Sequence, residues 1–161
     1  MTALMTRPAA HPAPAGPPGR RQPRCRTDSL DLGPLPGSVP SARLHVRAIL
    51  REWGLGHLAD ASESVASELI ANGVQATRAA GLDTPVRLTL TADGASVLIV
   101  VWDAVPAPPV PADPDLESEH GRGLIIVEAL AEWWDCRPVP AAHGGGKLVR
   151  SFITDTRRSL R

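Results

Sequence analysis

The stretch Val86-Arg87-Leu88-Thr89-Leu90-Thr91, followed by Asp93-Gly94 and then Val97-Leu98-Ile99-Val100-Val101-Trp102, decides the fold. Its first part alternates apolar and polar residues with period two, the pattern of a half-buried strand. Asp93-Gly94 is a hairpin turn signal, because glycine accepts the positive φ that such turns need. The second part is an almost unbroken apolar run, read as a central strand covered on both faces. Two strands joined by so short a turn must be antiparallel, which excludes a Rossmann-type βαβ unit here.

Upstream, a helix is expected from Leu58 to Ala80, stopped by Gly81, with Asp60 as N-cap and Glu63 completing a capping-box-like pattern. Gly73 inside it costs up to ~1 kcal/mol relative to alanine. An earlier helix opens at Pro40-Ser41, carries Ala42, Val46, Ile49 and Leu50 at helical spacing, and ends at Gly54 and Gly56. Leu30, Leu32 and Leu35 around Gly33-Pro34 make a short edge strand at best. Downstream, Ala104 to His120 holds five prolines and four acids without periodicity, the composition of a lid or binding loop. A helix follows over 121–132. Trp133 to Val139 and Lys147 to Ile153 then read as closing strands joined through Gly144-Gly145-Gly146, with one of Trp133 and Trp134 buried and the other partly exposed. Two or three helices and four or five mostly antiparallel strands define an α+β two-layer sandwich.

The 161 residues suit one domain, and their 43% apolar content is enough for a core. Seventeen basic and seventeen acidic residues cancel, which argues against direct binding to nucleic acid or to an anionic membrane. Sixteen of the basic residues are arginine, and Lys147 is the single lysine. Cys25 and Cys136 are too far apart in sequence for a disulfide framework or a paired-cysteine metal knuckle. No apolar run approaches a membrane span and no secretory signal is evident, so a cytoplasmic protein is expected. Residues 1–27 hold six prolines, five arginines and no acid, and are expected to be a disordered arm. The domain is expected over 28–155, with a frayed basic tail over 156–161.

Some residues stand out of place. On the helix from Leu58, the residues Leu58, Ala61, Val65, Leu69 and Ala76 share a stripe, with Asn72 in its middle and Glu68 at its edge. Polar groups on an apolar face are costly unless paired. Either the face borders a polar cavity, or the two side chains bond to each other. In the first case Glu68 is a candidate general base and Asn72 a Mg²⁺ ligand, since Mg²⁺ takes few protein ligands beside substrate phosphates. Ile70 and Val74, opposite this stripe, need a cover, most simply an intramolecular neighbour. Asp103 ends the apolar strand: it either caps the loop or points into a site, where a carboxylate could accept from an exocyclic amine such as adenine's. Gly121-Arg122-Gly123 opens a helix, where bare backbone N–H groups can approach an anion. His120 beside it either touches phosphate or is a solvated loop residue. There is no P-loop and no GxSxG elbow, and the five histidines lack metal-ligand spacing.

Three of these motifs together resemble the GHKL ATPases, the family of gyrase, histidine kinase and MutL. Glu68-Leu69-Ile70-Ala71-Asn72 resembles the N box, Asp103-Ala104-Val105-Pro106 the G1 box, and His120-Gly121-Arg122-Gly123-Leu124 the G2 box. Order and spacing match as well, over roughly residues 28–154. The chain is most similar to the small stand-alone branch, the anti-sigma-factor serine/threonine kinases of actinobacteria. The resemblance implies a Bergerat-type, histidine-kinase-like ATPase fold: a mostly antiparallel mixed sheet with helices on one face. It implies ATP and Mg²⁺ as cofactors, Asp103 on the adenine amine, Asn72 on Mg²⁺, and Gly121, Arg122 and Gly123 on phosphate. His120, Leu124, Val105 and Pro106 belong to the same binding motifs. Glu68 would activate the hydroxyl of a protein serine or threonine.

The implied substrate is a small anti-anti-sigma protein, with a sigma factor as a second, mutually exclusive partner and a homodimer by family analogy. The alternative is a non-catalytic module that binds ATP or sequesters a regulator on the same fold. Three positions depart from the family pattern. Val105 stands where G1 has glycine, and Gly73 where alanine is commoner. Gly146-Lys147 stands where Gly-Thr is usual, and Lys147 is expected either to reach phosphate or to be solvated. These departures bear on affinity more than on fold.

Overall fold

A computed structural model of the chain describes residues 24–109 and 122–155. The elements run β1 (Arg26–Leu32), α1 (Ser38–Glu52), a 3₁₀ turn (Gly56–Leu58), α2 (Ala59–Ala79), β2 (Val86–Ala92), β3 (Ser96–Asp103), α3 (Arg122–Leu130), β4 (Trp133–Pro138), a second 3₁₀ turn (Ala141–His143) and β5 (Lys147–Thr154). The strands form one sheet of order β1-β2-β3-β5-β4, and all four pairings are antiparallel. This is the α+β sandwich expected of the sequence.

The hairpin forms as read. Gly94 takes φ +94°, and Asp93 Oδ1 accepts from the Ala95 and Ser96 N–H groups and the Ser96 hydroxyl at 2.8–3.0 Å. These donors, the Ala95 N–H foremost and then the Ser96 hydroxyl, hold the Asp93 carboxyl below the usual range. The sheet buries one face. Val86, Leu88 and Leu90 of β2 and Val97, Ile99 and Val101 of β3 are fully enclosed against the helices. Leu98, Val100 and Trp102 stay half-exposed on the other face, so β3 is not covered on both sides. A long apolar run does not distinguish two covered faces from one covered and one half-exposed.

Four further expectations change. β1 is a full seven-residue strand beginning two residues before the expected domain start, because its whole length pairs with β2 through Thr27–Thr91 and Ser29–Thr89 hydroxyl contacts and an Asp31–Arg87 ion pair. Asp60 is not the N-cap: Leu58 is, without a side-chain cap, because the 3₁₀ turn runs straight into α2. Asp60 and the buried Glu63 instead bind Arg47 of α1, with Nε on Glu63 Oε1 and Nη2 on Asp60 Oδ1, each at 3.0 Å. α2 buries far more than a stripe: Ser62, Val65, Ala66, Leu69, Ile70, Gly73, Val74 and Thr77 are all enclosed, over half its circumference. It is the central helix, flanked by α1, α3 and the sheet, so Ile70 and Val74 have intramolecular cover. Finally, neither Trp133 nor Trp134 is fully buried. Trp133 is 41% exposed and stacks on Phe152 at 5.8 Å on the open face, while Trp134 reaches the core edge.

The expected lid beyond Pro109, the arm to residue 23 and the tail after Asp155 lie outside the described residues.

Candidate functional site

The strand alternation that fills the core also builds the site. On β3 the inward positions are Val97, Ile99, Val101 and Asp103, and on β5 they are Lys147, Val149, Ser151 and Ile153. The register sets Val101 opposite Val149 and, at the end of the ladder, Asp103 opposite Lys147. A charged pair is thereby carried to the helix-facing side. Asp103 is 1% exposed and Lys147 2%, and the lysine Nζ donates to Asp103 Oδ1 at 2.9 Å. Nζ also donates to the Val105 carbonyl at 3.0 Å, while the Val105 N–H donates back to Asp103 Oδ1 at 2.9 Å. Asp103 therefore caps the loop and faces inward at once. The backbone of Val105 folds over it regardless of its side chain.

Two glycines make this arrangement possible. Gly146 has φ +75°, and a Cβ there would collide with the Asp103 carbonyl oxygen and crowd Ala104 Cα. Only glycine lets the start of β5 lie so close to the end of β3. Gly73 faces the same corner from α2, where an added Cβ would lie 3.0 Å from Val86 Cγ1 and 3.5 Å from Asp103 Oδ2. Its helix cost is thus exchanged for close packing of α2 on the sheet. Cys136, inward on neighbouring β4, has its thiol pushed above the usual range, chiefly by burial.

Beside the pair lies a cleft of about 570 Å³. Asn72, Gln75, Ala76 and Ala79 of α2 form one wall, Val105 and Pro108 the other, and Lys147 lines it as well. Of the two readings of Asn72, the cavity is the one found; among the described residues it shares no hydrogen bond with Glu68. One turn away, Glu68 is half-buried and its carboxylate lies against the first turn of α3. A Cβ on Gly123 would collide with Glu68 Oε2, so Gly123 clears room for it.

The structure thus gathers Asn72, Asp103, Val105 and Lys147 at one corner, and Glu68 with Gly123 at the next. Pro106 is exposed beyond Val105, and Leu124 is buried in α3. His120 and Gly121 lie outside the described residues, as does the side chain of Arg122. Lys147 is not solvated, because strand register turns it inward against Asp103. Gly146 and the small residues Ala76 and Ala79 were not singled out as site residues. Helical spacing from Asn72 would have found the alanines.

A second hollow of about 430 Å³ lies on the open face of the sheet, lined by Thr89, Val100, Trp102 and Leu148. It shares no lining residue with the cleft beside Asp103 and Lys147.

An antiparallel sheet with helices on one face, and a buried strand-end carboxylate beside a cleft along the central helix, define an α+β sandwich with a polar-ended cleft. The family model for the histidine kinase-like ATPase domain matches residues 32–150, and the chain belongs to that family. Membership makes it an ATP-binding domain. No curated protein matches the chain. Among the described residues no helix is long and apolar enough to cross a membrane, and no group of three or more His, Cys, Asp or Glu residues could hold a metal.

Proposed function

We propose that the chain is an ATP-dependent serine/threonine protein kinase of the anti-sigma type, acting on a small anti-anti-sigma protein. The observation that carries this reading is the pairing of Glu68 and Asn72 one turn apart on α2, with Asn72 in the cleft and Glu68 kept in place by the missing Cβ of Gly123. The alanines and prolines lining the cleft leave room for a base, and a single amide oxygen fits Mg²⁺, which draws its other ligands from phosphate and water. Asn72 would hold the ion, which neutralises charge on the transferring phosphoryl group when bound. Glu68 accepts the proton of the acceptor hydroxyl as that oxygen bonds to the γ-phosphorus. The bond from γ-phosphorus to the bridging oxygen breaks, and ADP leaves.

The second reading is a module that binds ATP or a regulator without phosphotransfer. It is favoured by the two donors, Lys147 Nζ and Val105 N–H, already seated on Asp103 Oδ1. Calorimetry of ATP with and without Mg²⁺, paired with transfer of labelled γ-phosphate to an anti-anti-sigma protein, separates the two. In a kinase, Glu68→Ala keeps nucleotide affinity and lowers transfer by about 10²–10⁴-fold. Asn72→Ala removes the Mg²⁺ dependence of binding. Gly123→Ala, which displaces the Glu68 carboxylate, follows Glu68→Ala in transfer. Transfer unaffected by Glu68→Ala, or absent from the unaltered chain, would leave the binding module as the function.

A further inference from the structure

The only lysine of the chain is enclosed at the wall of the cleft, in a protein that otherwise uses arginine for its basic side chains. An ammonium has three N–H donors. Two are taken, by Asp103 Oδ1 and the Val105 carbonyl, and among the described residues no acceptor takes the third. A buried, unspent donor is costly unless something meets it, and the cleft that Lys147 lines is the side from which a ligand would come. A lysine ammonium puts all three donors on one compact point charge, unlike the planar guanidinium fork of arginine.

We infer that Lys147 reads the base of the bound nucleotide, donating its third N–H to a ring-nitrogen acceptor on the base edge. This rests on the ATP reading of the cleft and extends it. With Oδ1 engaged by Lys147, Asp103 keeps Oδ2 as the acceptor for an exocyclic amine. The pair then presents an acceptor and a donor side by side. The complementary ligand edge is an amine donor next to a ring-nitrogen acceptor, as adenine carries at N6 and N1.

The test compares ATP with 1-deaza-ATP, in which ring N1 is replaced by C–H, by calorimetry on the full chain. The unaltered protein is expected to bind 1-deaza-ATP about ten- to a hundredfold more weakly, the range for losing a hydrogen bond to a charged group. Lys147→Met is expected to bind both nucleotides equally. Because Lys147 is the single lysine, isotope-labelled lysine gives one Nζ resonance in the unaltered chain. That resonance should move on adding ATP and much less with 1-deaza-ATP, which keeps the test decisive if Lys147→Met fails to fold. Equal binding of the two nucleotides by the unaltered chain, or discrimination retained in Lys147→Met, would overturn the inference alone. Failure to bind either nucleotide at millimolar concentration would overturn the ATP reading together with it.

Discussion

Three acid–base pairs sit directly opposite one another across neighbouring strands: Asp31 with Arg87, Asp135 with Arg150, and Asp103 with Lys147. The first two lie on the open face. Asp135 and Arg150 are each 30% exposed and bond at 2.5 and 2.8 Å, with the guanidinium also 5.6 Å from the Trp133 ring. The third lies on the helix face and is enclosed. One residue of register separates the two outcomes, since successive side chains of a strand point to opposite faces. Water screens the outer pairs and can replace either partner. The inner pair has given up that solvent, so each member depends on the other.

The sharpest way to break this contrast is to remove one inner partner. Lys147→Met leaves the Asp103 carboxylate enclosed without its cation and should cost about 3–5 kcal/mol in denaturant unfolding. Asp103→Asn combined with Lys147→Met keeps an acceptor for the Val105 N–H, removes both charges, and should recover more than half of that loss. A double variant no more stable than the single one would show that the pair is not the source of the cost.

Gly146→Ala should follow in size. It forces a Cβ into a residue at φ +75° and against the Asp103 carbonyl, for a loss of at least about 2 kcal/mol by the same measurement. Gly144→Ala is the control within the same loop. It shares a positive φ, +106°, but has nothing within 4 Å of an added Cβ, so the difference between the two variants isolates the close approach.

The outer pair gives the smallest effect. Arg150→Gln should cost no more than about 1 kcal/mol, falling with added salt. Its pH dependence has a defined sign. The Arg150 hydrogen bond, more than any other cause, holds the Asp135 carboxyl below the usual range. A carboxyl depressed in the folded state stabilises above its unfolded pKa of about 3.9, and the contribution is lost as pH falls through the folded value. The Arg150→Gln chain should therefore lose that stability at pH 7, show a shallower acid limb below about pH 4, and converge with the unaltered chain at the acid end. An unchanged acid limb would mean that the outer pair contributes nothing.

Much of this was legible in the residues. Period two over Val86–Thr91, the Asp93-Gly94 turn and the helical spacing around Val65 and Leu69 fixed the elements, because these patterns are local consequences of backbone geometry. The likeness of the motifs at Glu68–Asn72 and Asp103–Pro106 pointed to the family that the match over residues 32–150 then supplied. The length of β1 was not legible, since an edge strand is held by its neighbour's register. Nor was the breadth of the buried face of α2, which depends on three elements closing around it.

By itself the sequence determined that Asp103 ends an apolar strand, that Lys147 begins another, and that glycines precede the second. Which way those two side chains face, and that they face each other, was decided only when β5 paired with β3 in one register and Gly146 let the strand ends meet. Alternation is a property of each strand alone, whereas register is a property of the pair. A one-residue slip would have left the lysine in water.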